Sequence, residues 1–438
     1  MSRVSCLTWL IYAVVVSFLV LAPARPAIAW TYHVIYSFCS QPNCADGEGA
    51  GRSLVMDAAG NLYGTTGSGG AGRGTVFQLT HQNGHWAEHV LCNFAAGEGS
   101  CFTGYNPNGL IIDKSGNLYG TTANGGPAGA DAGTVFHLIK KHGRWSFRNV
   151  YLFCPRGTPC ADGWQPEGLS YAGAAEGLPY DGQSPLFGTT MVGGANRGGV
   201  AFELNRKKGG WRERVIYSFC AQQNCADGAT PYSPVTVGPS GVLYGTTAQG
   251  GRGNGGGVLY QLSPTETRPW SQSVLYSFCS LSNCTDGAGP EGAPTLDSAG
   301  NLFGTTRSGG TRCDSDYPCG IAFVFRHARG ERTLHPFCSY TICKDGTNPT
   351  AGPIQDSAGN LFGTTFYGGA YGNDAAGGVV YEISGAKFQV LYNFCTDRLQ
   401  CTDGNEPGPL IIDRSGNLYG TTAQGGANNS GVVFEVTP

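Results

Sequence analysis

Six aspartates stand at one recurring position of this chain. Asp46, Asp162, Asp227, Asp286, Asp345 and Asp403 each precede a glycine, and only Thr103 breaks the series. Gathered on one face, six carboxylates would suit Ca2+ or a cationic ligand. The favoured reading is more local: Asp-Gly makes a turn, and its carboxylate accepts hydrogen bonds from nearby backbone amides. A residue that recurs in unit after unit is expected to serve architecture. The same reasoning covers a second series, Asp57, Asp113, Asp297, Asp356 and Asp413, each of which opens a D-x-x-G-N turn.

Cysteine offers a second chemistry. Cys6 lies near the N-terminus and leaves an even 16. Six pairs share one pattern: Cys39 with Cys44, Cys154 with Cys160, Cys220 with Cys225, Cys279 with Cys284, Cys338 with Cys343, and Cys395 with Cys401. Cys313 with Cys319 would close an extra loop. Cys92 with Cys101 is irregular, because Ala95 stands where the first cysteine is expected. Such a count predicts eight disulfides and an oxidising compartment. Each short ring is worth about 2 kcal/mol by chain entropy, so the bridges staple a fold that other forces build. Zinc would need pairs that converge in fours, whereas one pair falls in each unit; no metal or cofactor is expected.

A tandem repeat must position these residues. Gly-Thr-Thr occurs seven times, at Gly64, Gly120, Gly188, Gly245, Gly304, Gly363 and Gly420. A unit of about 57 residues runs from a W-x3-V-x-Y-x-F-C segment, through the Asp-Gly turn, to D-x-x-G-N-L-Y-G-T-T-x-x-G-G and then G-x-V-F-x-L. Apolar runs such as 109–113, the returning N-L-Y-G-T-T, the G-x-V-F segment and the Trp-to-Phe segment read as four antiparallel strands. Seven such units predict an all-β, seven-bladed β-propeller with four antiparallel strands per blade. The chain ends on a third strand, whereas Trp30 to Phe38 matches the fourth strand of other units. The N-terminal strand is therefore expected to complete the last blade, hiding sheet edges that a linear solenoid would leave open. The mid-strand glycine of Gly-Thr-Thr requires something to pack closely against it.

With these motifs in hand, the chain resembles the bacterial tandem-repeat family of choice-of-anchor GloVer-containing proteins. The resemblance rests on D-x-x-G-N-L-[YF]-G-T-T-x-x-G-G followed by G-x-V-F, over nearly all of residues 30–438. It implies an exported, usually surface-associated protein and carries no catalytic residue across. A departure is that no sorting segment follows Pro438, which bears on anchoring.

Residues 1–29 read as a signal peptide: Arg3, an apolar run from Val4 to Leu21, and Ala27-Ile28-Ala29 as the cleavage pattern. Residues 30–438 are then the propeller, with no membrane span after cleavage. Removing residues 1–29 leaves 25 Lys and Arg against 30 Asp and Glu, a net of −5, which lacks the basic footprint of a nucleic-acid binder. Charged residues are few (13%), but 40% of the chain is hydrophobic, so a core can form.

What departs from the repeat is where function is expected. Trp164, Tyr232, Tyr317 and Tyr371 are loop aromatics predicted for the face that carries the disulfides, and are the candidate ligand-binding residues. Aromatic platforms near acids suit sugars. Blade three carries a longer first hairpin (170–184) with Tyr171, Glu176, Tyr180 and Asp181, and blade five a loop with Asp314 and Asp316. No G-x-S-x-G, H-E-x-x-H or Walker motif occurs. His33, His89 and His335 fall in outer strands and are expected to pack, His335 in place of the usual Tyr. The expected function is a monomeric binding or scaffold module at a secreted, periplasmic or cell-surface location, for an extracellular glycan or cell-surface ligand. The alternative is a polysaccharide-active enzyme, a lyase or glycoside hydrolase, with its site on the disulfide-loop face.

Overall fold

The structure is a computed structural model describing residues 30–438 apart from 53, 96–100, 128–130, 156, 158, 254, 266–269, 312–318, 371–376 and 398–399. Seven four-stranded antiparallel sheets form a ring of blades. The first blade runs outward through Val55–Met56, Leu62–Thr66, Thr75–Gln82 and His85–Asn93. The last contributes Asn405–Ile412, Leu418–Gln424 and Val432–Thr437, and takes Thr31–Ser37 as its outer strand. Thr31 pairs with Thr437 and Ser37 with Val432, and Phe38 N–H donates to Gly431 O at 3.0 Å. The ring thus closes as the complementary ends of the chain require. No helix among the described residues is long and apolar enough to cross a membrane. Among the described residues helical geometry is confined to 3-10 turns of three residues, such as Pro42–Cys44 and Gln223–Cys225, which sequence periodicity could not show.

Aromatic pairs fill the wedge between blades. The Phe before each disulfide loop packs against the ring of the next blade's G-x-V-F strand: Phe38 on Phe77, Phe219 on Tyr260, Phe394 on Phe434. All seven junctions have such a pair, with centroids 4.9–5.5 Å apart. These separations are in the favourable range for ring pairs. The same rings explain the glycine of Gly-Thr-Thr. A Cβ on Gly304 would fall 2.5 Å from Phe323 Cζ, and in each of the other six blades one would come equally close to the matching Phe or Tyr.

Each threonine of Gly-Thr-Thr has a fixed partner. The second closes its own blade: Thr66 Oγ1 donates to Ser68 O at 2.9 Å and accepts from Thr75 N–H at 3.0 Å, and all seven blades repeat this. The first reaches across to the next blade. Thr189, Thr246, Thr305 and Thr364 donate to Ser233 O, Gly292 O, Ala351 O and Gly408 O at 2.7–2.9 Å. Thr65 donates to Asn108 O, and Thr121 instead accepts from Gly168 N–H. Thr421 closes the circle on Arg52 O at 2.6 Å.

Gly304→Ala should therefore overpack the blade-five junction and cost about 1–3 kcal/mol. Urea unfolding should show a lower midpoint at an unchanged slope; an unmoved midpoint would mean that the ring yields freely.

Candidate functional site

The disulfide loops and the loops after Gly-Thr-Thr gather on one face. The described residues form seven disulfides. Six are the regular bridges Cys39–Cys44, Cys154–Cys160, Cys220–Cys225, Cys279–Cys284, Cys338–Cys343 and Cys395–Cys401. The seventh is the irregular Cys92–Cys101. Cys319 is also disulfide-bonded, while Cys313 lies outside the described residues. Within each loop the second cysteine also anchors backbone. The carbonyls of Cys160, Cys284 and Cys343 accept the N–H of Gly163, Gly287 and Gly346, and again those of Gly194, Gly310 and Gly369 in the loops after Gly-Thr-Thr, at 2.9–3.2 Å.

The Asp-Gly carboxylates hold these loops. Asp227 accepts from Tyr217 OH at 2.7 Å and from the backbone amides of Ala221 and Gln222. Tyr36, Tyr151, Tyr276 and Tyr392 do the same for Asp46, Asp162, Asp286 and Asp403. Five of the six aspartates are buried and Asp162 is half-buried. They are turn residues, and the cation-ring reading is disfavoured because each carboxylate is committed to protein donors, with only Asp345 Oδ1 left without a partner. Cys395, Asp397 and Cys401 are the one metal-type cluster among the described residues, and both its sulfurs are in a disulfide.

Two substitutions show the same lock rebuilt. His335 is buried, bonds Asp345 through Nε2 at 2.9 Å and stacks on Phe388, so it does more than pack. At the second blade both partners change together: Cys92 replaces the tyrosine, Thr103 the aspartate, and a disulfide from Cys92 ties the loop instead.

The aromatic candidates do not form one platform. Trp164 sits at the junction of blades two and three, donating its indole N–H to Asp131 O at 2.9 Å. Tyr105 OH donates to Asp131 Oδ2, and Arg73 lies over the Tyr105 ring. Tyr317 and Tyr371 lie outside the described residues, as do Asp314 and Asp316. In the blade-three hairpin Tyr171 and Tyr180 are buried; Tyr180 N–H donates to Ile112 O and anchors the hairpin on blade two.

Tyr232, by contrast, is 39% exposed and stands on the wall of a central channel of about 1720 Å3, lined by the inner strands of blades two to seven and, in blade one, by Gly51 and Arg52. Sequence reading missed its other functional groups. In D-G-x-x-P-x (T-G-x-x-P-x in blade two), the residue after Pro is Asn108, Glu167, Tyr232, Glu291, Thr350 and Gly408; in blade one Gly51 holds this place and Arg52 the next. This position follows the Asp-Gly turn of the disulfide loop and precedes the inner strand or falls within it, which puts it toward the disulfide-face mouth. It varies from blade to blade, as do the two steps before the proline, and that variation is the signal which could have found it. Glu291 pairs with Arg307 at 3.0 Å. Glu167 keeps some accessible surface but stands where little bulk water reaches it. Burial pushes its carboxyl up to about 7, against the pull of Arg52. Arg52 is in none of the three ion pairs among the described residues.

Outside the channel, three outer-strand glutamates lean on the Asp locks. Burial, with a neighbouring aspartate adding to it, raises Glu88 and Glu331 to about 7 and Glu213 to about 8.

The model of the Gloeobacter/Verrucomicrobia repeat matches residues 104–317 and 309–438. The chain belongs to this family. Comparison with curated protein sequences gives no match. Among solved structures, this GloVer propeller is similar to PorZ, described as an essential bacterial surface component of the type-IX secretion system of Porphyromonas gingivalis. The TM-score is 0.51 at 14% identity, covering 89% of this chain. The chain spans about half of PorZ (47%), and at this identity the likeness shows the fold alone. A Mycobacterium tuberculosis puromycin-hydrolyzing peptidase is also similar, with a TM-score of 0.42 and 11% identity over 89% of this chain and 62% of its own.

The three raised glutamates give this GloVer propeller a pH signature. A carboxyl whose folded pKa lies above its unfolded value stabilises fully below about 4.5, and this is lost as pH rises through 7–8. Thermal melts should show a lower Tm at pH 8 than at pH 5. Glu213→Gln should narrow that gap by raising Tm at pH 8; an equal Tm at both pH values in the parent would refute the assignment.

Proposed function

We propose that this protein is a monomeric, exported binding module that takes a glycan at the disulfide-face mouth of its central channel. Residues 1–29 serve as the export signal in this reading, and the many disulfides suit an oxidising location outside the cytoplasm. One observation carries it: repeated polar residues are spent on the fold, while the non-repeated Arg52, Asn108, Glu167, Tyr232 and Glu291 line one cavity. An exposed tyrosine gives a sugar ring large contact area at low side-chain entropy.

A second reading, a polysaccharide-active enzyme, is favoured by Glu167. A carboxyl pushed to about 7 can act as a general acid, and Glu291 supplies a second carboxylate on the same wall.

A glycan-array screen followed by product analysis separates the two. Binding without new reducing ends or unsaturated products is the expected result; turnover abolished by Glu167→Gln would establish the enzyme. Tyr232→Ala should weaken binding about tenfold or more with Tm unchanged. Asp227→Ala should leave binding nearly intact and cost about 2–3 kcal/mol, because it orphans a buried hydroxyl and two amides. The reverse pattern would return function to the Asp-Gly series.

A further inference from the structure

The channel wall is asymmetric, and that asymmetry selects among glycans. Blades one to five place Arg52, Asn108, Glu167, Tyr232 with Ser233, and Glu291 at the mouth. Blade six places Thr350, Ala351 and Gly352 there and blade seven Gly408 and Pro409, so neither brings a charge or an aromatic ring at this position. Two polar groups on the wall lack partners. Asn108 is 3% exposed; its Nδ2 donates to Pro166 O, but its Oδ1 has no partner. Ser233 is 8% exposed, and its Oγ has none either. Both atoms show less than 1 Å2 of surface; leaving such groups unmet is costly, so a ligand rich in hydroxyls that reaches them gains by meeting them.

The charges narrow the class. Arg52 is the cation of this wall that no carboxylate of the described residues pairs, and its main chain is pinned by the ring-closing bond from Thr421. Glu291 is already neutralised by Arg307, which disfavours a cationic ligand. Burial pushes the Glu167 carboxyl up to about 7, so near neutral pH it repels a negative charge beside Arg52 less than an ordinary carboxylate would, and its protonated form can donate a hydrogen bond. A phosphomonoester carries up to two charges, more than the one guanidinium of this wall offsets. A lone carboxylate matches one guanidinium, in the bidentate geometry that arginine favours.

Resting on the channel reading above, we propose that the ligand is an acidic saccharide: Arg52 takes its carboxylate, Asn108 Oδ1 and Ser233 Oγ take its hydroxyls, and Tyr232 stacks on its ring.

Calorimetric titration of the propeller with a tri-uronate and with the same trisaccharide carboxyl-reduced tests this. The acid should bind at least about tenfold tighter than its reduced form, as a charge-assisted bidentate pair implies. Arg52→Gln should erase the difference by weakening the acid about tenfold or more, with Tm unchanged. Equal affinities, a preference that survives Arg52→Gln, or no binding of the acid overturns the acidic-saccharide assignment. The channel reading then stands only if a neutral glycan binds and loses affinity in Tyr232→Ala. If Tyr232→Ala changes the affinity of no glycan, the channel reading itself falls.

Discussion

The structure depends on a threonine hydroxyl that crosses from each blade to the next. Inner strands converge where the ring is narrowest, and their outward carbonyls are buried against the preceding blade with no fifth strand to pair them. The first threonine of Gly-Thr-Thr meets that need at Ser233, Gly292, Ala351 and Gly408 with bonds of 2.7–2.9 Å. The preceding glycine exists because the aromatic plug of its own blade occupies the Cβ position. A second set of bonds runs the other way. Gly49, Asn106, Gln165, Thr230, Gly289, Asn348 and Glu406 donate their N–H to a carbonyl of the preceding blade at 2.8–3.2 Å. All seven hold positive φ, including Thr230, a β-branched residue for which that conformation is strained. The strain persists because the bond and the proline that follows in six of the seven blades fix the direction of the chain.

These clasps also place the variable residues. The carbonyls they grip belong to Asn108, Ser233 and Arg52 themselves, or to the neighbours of Glu291 and Thr350. A repeated hydroxyl thus fixes the backbone from which a non-repeated side chain enters the channel. Architecture and recognition are separated by one residue along the chain, which lets the mouth vary while the ring does not.

Much of this was legible in the sequence. Seven Gly-Thr-Thr elements gave the blade number, and the Trp-to-Phe segment at the N-terminus gave the closure. Near-identical spacing within each cysteine pair gave the bridges, and recurrence pointed Asp227 and its equivalents to turns. The channel was not legible, for a physical reason. In four blades the inner strand is only two residues long, as at Thr236–Val237, so D-G-x-x-P-x reads as loop. Radius in a ring is set by closure and leaves no local mark; hence Trp164 and Tyr232, three steps apart in the motif, looked equivalent although of the two only Tyr232 faces the channel. The approach of Glu213 to Asp162 is likewise non-local, created by stacking an outer strand on the loop that enters the same blade.

Native-state hydrogen exchange at the seven inter-blade amides tests the central claim, that the ring is one closed body with seven equivalent clasps. Gly49 N–H spans the junction of the last blade with the first, and the other six span junctions continuous in sequence. All seven should exchange together, and only through global unfolding. Fast exchange at Gly49 with protection elsewhere would mean that the ring opens where the chain ends meet, and would contradict the account.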